Sequence, residues 1–179
     1  MAATTMAIVA CVPGAFGRRL AQLQRRIEGE GRGRMPPHIP LLGPFEAGPP
    51  FLPLEQHCWE VCHRAAPFTV DLAPPAVDEE RRLLSCEVVS GDEQLVELRQ
   101  ALLAGKYAPP ADGDAYQPRC VIARVERPDD LAPARQEVAE AAPSAASCLV
   151  ERIELMARYP SGEWYERDFY TLDAAAARA

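Results

Sequence analysis

The chain has 179 residues, 48% of them hydrophobic and 25% charged, and a net charge of −7. That length suits one compact domain with a real interior, and no apolar run reaches the roughly 18–20 residues that a membrane crossing needs. The acidic balance excludes indiscriminate coating of long nucleic acid, yet residues 1–35 set Arg18, Arg19, Arg25, Arg26, Arg32 and Arg34 against only Glu28 and Glu30. A local basic patch of this kind suits a small phosphorylated or anionic ligand, such as a nucleotide.

Residues 4–12 form an apolar strand with no basic leader before it, which predicts a cytoplasmic protein. An amphipathic helix follows over 14–27, with Phe16, Leu20, Leu23 and Ile27 on one stripe. The loop from Gly29 to Arg34 precedes a strand and has no P-loop lysine, so its spaced glycines are not a phosphate loop. Strand His38–Leu42 ends at Gly43-Pro44, a helix covers 52–66, and strands Phe68–Leu72 and Arg82–Val89 flank the Pro74-Pro75 turn. The second half repeats the order with a helix over 91–103, a loop over 105–114, a strand over 119–125 and a helix over 129–141. Cys148–Tyr159 and Trp164–Leu172 close the chain as a hairpin across Pro160-Ser161-Gly162. The alanine-rich tail from Asp173 frays.

Of the six cysteines, five sit inside apolar strand or helical segments and read as buried thiols of a reducing compartment. Cys58 and Cys62 share one helix face and could share a metal. No second ligand pair completes a zinc spacing, so the expectation is no metal and no cofactor. His57 and His63, on the same helix, read as surface or packing residues. Neither Ser85-Cys86 nor Ser161-Gly162 has the form of a nucleophile elbow.

Many neighbouring strands are joined by turns too short for a parallel crossover, which predicts an α+β protein with mainly antiparallel sheets and helices on their outer faces. Each half offers a helix and then a proline-led strand. The expected assembly is a single two-lobed, pseudo-twofold domain over residues 1–179, with the two proline-led strands facing each other across a central cleft.

Those two strands carry a resemblance. Pro37-His38-Ile39-Pro40-Leu41-Leu42-Gly43-Pro44-Phe45 is similar to the first signature of the two-histidine phosphoesterases, the bacterial 2′-5′ RNA ligase and cyclic phosphodiesterase group, whose usual form is Pro-His-x-Thr-Leu-x-x-Pro-Phe. Tyr116-Gln117-Pro118-Arg119-Cys120-Val121-Ile122-Ala123-Arg124 resembles the second, Phe-x-Pro-His-x-Thr-x-x-Arg. The stretches 66–72, 153–159 and 170–172 resemble later strands of the same family. The resemblance implies a bilobal fold with one His-x-Thr strand per lobe. In that arrangement one histidine deprotonates a hydroxyl or water, the other protonates the leaving oxygen, and the threonines bind phosphate.

This chain departs from the pattern at three of those four positions. His38 remains, whereas Pro40, Arg119 and Val121 stand in place of a threonine, a histidine and a threonine. Pro40 and Val121 bring no side-chain donor. Arg119 stays protonated and cannot shuttle a proton, but its planar fork can hold a phosphate or carboxylate. The site expected from the resemblance is His38 as the catalytic group, with Arg119, Phe45 and Tyr116 binding the ligand. Arg124 falls on the opposite strand face, where it snorkels or forms an ion pair. Tyr159 and Trp164 read as packing residues. Three functions stay open: a diverged phosphoester-binding protein with weakened catalysis, a repurposed enzyme using His38 alone on a more apolar substrate, and a non-catalytic interaction module docking through its basic N-terminal helix.

Overall fold

The computed structural model describes residues 3–29, 33–107 and 116–173. Most of the expected 105–114 loop and the tail beyond Asp173 lie outside the described residues. The chain runs β1 (Thr4–Cys11), α1 (Gly14–Glu28), β2 (His38–Ala47), α2 (Leu52–Arg64), β3 (Phe68–Leu72), β4 (Ala76–Asp78), β5 (Leu83–Ser90), α3 (Asp92–Leu103), β6 (Arg119–Arg124), α4 (Leu131–Ala141), β7 (Ala146–Val150), β8 (Arg152–Arg158) and β9 (Trp164–Thr171). None of the described helices is long and apolar enough to cross a membrane.

Among the described residues all strand pairs are antiparallel, in the order β7-β3-β5-β6-β2-β1-β8-β9, with β4 beside β5. The two halves of this α+β sheet meet, among the described residues, only where β2 pairs with β6, at His38 opposite Val121. Helices cross between halves: α1, which follows β1, packs on β6, and α3, which follows β5, packs on β2. This exchange is the pseudo-twofold arrangement expected from the repeated element order. The core between sheet and helices contains Ile8, Leu20, Leu41, Leu84, Leu95, Ile122 and Leu155, each at most 2% exposed. Full burial of one such side chain contributes about 1.5–3 kcal/mol.

Three element boundaries differ from the expectation. β2 does not stop at Gly43-Pro44 but continues to Ala47, because two one-residue bulges against β1, around Leu41 and around Gly43-Pro44, absorb prolines that cannot donate to a ladder. The expected strand Cys148–Tyr159 divides at Glu151 into β7, which pairs with β3, and β8, which pairs with β1. A three-residue strand, β4, forms just after Pro75 and is too short to give a pattern of its own.

Candidate functional site

A cleft of about 790 Å³ opens over the β2–β6 seam, lined also by Gln24, Ile27 and Glu28 at the end of α1. His38, Pro40 and Leu42 reach it from β2, Ala7 and Val9 from β1, and Leu83 and Val121 from β5 and β6. His38 is the first residue of β2, and its ladder partners are Cys11 on one side and Val121 on the other. Because the motif strands run antiparallel, the first residue of one motif stands against the third of the other. Carried two residues further, that register sets Pro40 against Arg119, where Pro40 has no N–H to give. Its carbonyl instead accepts the Tyr116 hydroxyl at 2.7 Å.

The His38 ring is oriented from behind. Its Nδ1 lies 2.6 Å from the Pro36 carbonyl oxygen, which can only accept, so Nδ1 carries the proton and Nε2 keeps its lone pair. Burial lowers the imidazole pKa below its ordinary value, against a smaller opposing effect of that hydrogen bond. The site therefore holds a neutral imidazole that can accept a proton.

One wall of the cleft joins the segment before β2 to the β8–β9 hairpin. The Trp164 N–H donates to the Gly33 carbonyl at 2.5 Å. Gly33 has φ +67°, and a Cβ there would lie 2.2 Å from the Glu163 Cβ, so the close approach requires glycine. Beneath this wall, Ala7, Val9 and Met156 are buried against Cys11, Met35 and Trp164 and give the floor an apolar character. Cys11 adjoins His38, but its thiol is pushed far above the ordinary range by burial and by Glu154, so it is no thiolate nucleophile. Glu154, 1% exposed, accepts the Cys11 N–H at 2.9 Å and the Arg152 Nε–H at 2.8 Å, and burial raises its own pKa.

Arg124 is not where strict alternation puts it. The β5–β6 register slips by one residue between Val121 and Ala123, so Ile122 is a bulge and the faces exchange beyond it. Ala123 turns into the core and Arg124 joins the cleft lining. Among the described residues its guanidinium forms no ion pair, whereas Arg34 is held by Glu28 and Arg127 by Asp129. A single-residue bulge leaves no mark in a hydrophobic pattern, which is why the sequence reading missed Arg124.

The other expected site residues are not gathered in the cleft lining. Arg119 is absent from it, and its guanidinium lies 3.7 Å from an Asp78 carboxylate oxygen on β4. Phe45 is 5% exposed inside the core. The Tyr116 ring carries the Arg99 guanidinium 4.4 Å from its centroid. Tyr159 stacks on Tyr165, while Trp164 does line the cleft. The His57 Nε2–H donates to the Leu102 carbonyl in the last turn of α3, and His63 lies between Trp59 and Asp173. Cys58 and Cys62 are at most 1% exposed, and burial pushes both thiols up to about 12.

A family model described as the 2′-5′ RNA ligase superfamily matches residues 12–161. Among solved structures, E. coli LigT complexed with NADP+ superposes at TM-score 0.63 with 15% identity, over 95% of this chain and 98% of that one. TT0787 of Thermus thermophilus superposes at 0.62 with 16% identity, over 94% and 97%. E. coli LigT complexed with 3′-AMP gives 0.62 and 14%, over 96% and 99%. At these identities the likeness is one of fold. No curated protein matches the chain.

Proposed function

Because the chain belongs to the 2′-5′ RNA ligase superfamily, we propose that its cleft binds a nucleotide or another small phosphoester, and that the paired acid–base catalysis of two-histidine enzymes is lost or strongly weakened. The observation that carries this reading is that the cleft has one imidazole. His38 faces Val121 across the seam, and the chain's other histidines, His57 and His63, lie on α2 outside the lining. Removing one positioned acid or base costs about 10²–10⁴ in rate. Binding capacity is a separate matter: His38 Nε2 and the Arg124 guanidinium remain, and the solved LigT complexes with 3′-AMP and phosphate hold such ligands in a protein of this fold. A cleft of about 790 Å³ suits a small ligand rather than a long polymer. A cytoplasmic location fits six free cysteines, five of them buried.

A second reading, an enzyme with His38 as its only acid–base group acting on a more apolar substrate, is favoured by the neutral, backbone-oriented ring above a floor of Ala7, Val9, Pro40 and Val121. One experiment separates the two. Thermal shift and turnover are measured with 3′-AMP and a 2′,3′-cyclic nucleotide on wild type and His38→Ala. Binding with negligible turnover supports the first reading, and slow turnover that vanishes in His38→Ala supports the second. Absence of any nucleotide-induced shift sinks the first.

A further inference from the structure

We propose that Asp78 is a positioning residue that holds Arg119 out of the cleft and competes with the ligand's anionic group for it. The inference rests on the ligand reading above and assigns that site a regulator.

Strand register fixes the geometry. On β6, Arg119 and Val121 are two residues apart with no bulge between them, so Arg119 starts from the face that Val121 presents to the cleft. On the same face, Asp78 pairs with Leu83, and Leu83 pairs with Arg124, both of which line the cleft. Asp78 therefore ends a row that leads directly to the site. Arg119 begins two rows away, opposite Glu87, yet its guanidinium reaches Asp78 across β5. The row it crosses is that of Ser85, which is 7% exposed although it sits on the open face.

The acceptor is fixed and the donor is long. Asp78 Oδ1 accepts the Arg81 N–H at 2.9 Å, so the carboxylate is locked into the turn after β4. Its Oδ2 faces Arg119 at 3.7 Å and Arg81 at 3.6 Å, a loose contact on each side. The two side chains are only 21% and 31% exposed, but at 3.7 Å and shared with Arg81 the contact is loose. A loose pair of this kind is weak and readily exchanged for a better anion. A phosphate offers the arginine fork two oxygens in the geometry it matches best. A phosphoester beside His38 and Val121 would thus draw Arg119 from Asp78 and bring a second guanidinium to the cleft beside Arg124.

The test measures dissociation constants of 3′-AMP and of inorganic phosphate by calorimetry for wild type, Asp78→Asn, Asp78→Glu, Arg119→Ala and the double variant Asp78→Asn with Arg119→Ala. The expected result is roughly two- to fivefold tighter binding in Asp78→Asn, on the order of one weak ion pair released. Asp78→Glu returns toward wild type, and the gain disappears when Arg119 is alanine. A structural role for Asp78 predicts weaker binding, not tighter. Equal or weaker binding in Asp78→Asn overturns the inference, as does a gain that survives Arg119→Ala. If no variant binds either probe, the ligand reading falls and the inference with it. If wild type binds and Asp78→Asn matches it, only the inference falls.

Discussion

His38 of β2 and Val121 of β6 face each other where, among the described residues, the two halves of the sheet are joined. A proton donor or acceptor at that seam therefore meets a methyl group instead of a hydroxyl. Next to them, Arg119 begins the same strand as Val121 but sends its charge outward to Asp78. On the reading proposed above, only the His38 side of this seam carries acid–base chemistry.

The neutral state of His38 gives a pH signature. In the unfolded chain the imidazole takes up its proton near 6.5, whereas burial holds it neutral to lower pH in the fold. Between the folded value and 6.5 the unfolded state binds more protons, so stability falls as pH drops through that window and shows no further loss below it. An NMR titration of the His38 ring should give a midpoint below 6.5, and His38→Gln should flatten that limb of the stability curve. A midpoint at or above 6.5 in the free protein would remove the neutral base.

If the second imidazole is what the site lacks, Arg119→His should restore part of the chemistry. Hydrolysis of a 2′,3′-cyclic nucleotide should rise at least about tenfold over wild type, below the ~10²–10⁴ of a fully positioned group. Adding Val121→Thr should raise it again. Steady-state rates decide the matter, and an unchanged rate in both variants counts against the reading of the seam.

Arg124 should contribute binding rather than turnover. Losing a charge-assisted hydrogen bond to a phosphate costs roughly 1.5–3 kcal/mol. Arg124→Ala should then weaken 3′-AMP binding about 10- to 100-fold, while Arg18→Ala, on the exposed face of α1, leaves it unchanged. Calorimetric titration checks this, and equal affinities in the two variants would place the anion elsewhere.

Gly17 reverses an ordinary rule. In an exposed helix Gly→Ala stabilises by about 1 kcal/mol. Here a Cβ would lie 1.9 Å from the Val12 carbonyl oxygen, a backbone atom just past the end of β1. Gly17→Ala should therefore destabilise by about 1–3 kcal/mol in urea unfolding, the usual range for overpacking. A stabilised variant would mean that α1 can slide away from β1 without cost.

The sequence by itself determined the elements and their pairing class. Apolar periodicity places Leu20 and Leu23 on the buried stripe of α1, short turns force antiparallel neighbours, and the two proline-led motifs mark where β2 and β6 begin. It also determined that His38 is the only motif histidine, since that is a matter of identity. Orientation was beyond it. Alternation along a strand is legible only while the register is regular, and the Ile122 bulge turned Arg124 into the cleft where a regular strand would have turned it away. Arg119 was legible as a cation but not as one committed to Asp78, because that contact joins residues far apart in the sequence and depends on a strand, β4, of three residues. Local pattern decides which residues share a face of one strand. Bulges and long-range ion pairs, which form only when strands meet, decide which of them reach the site.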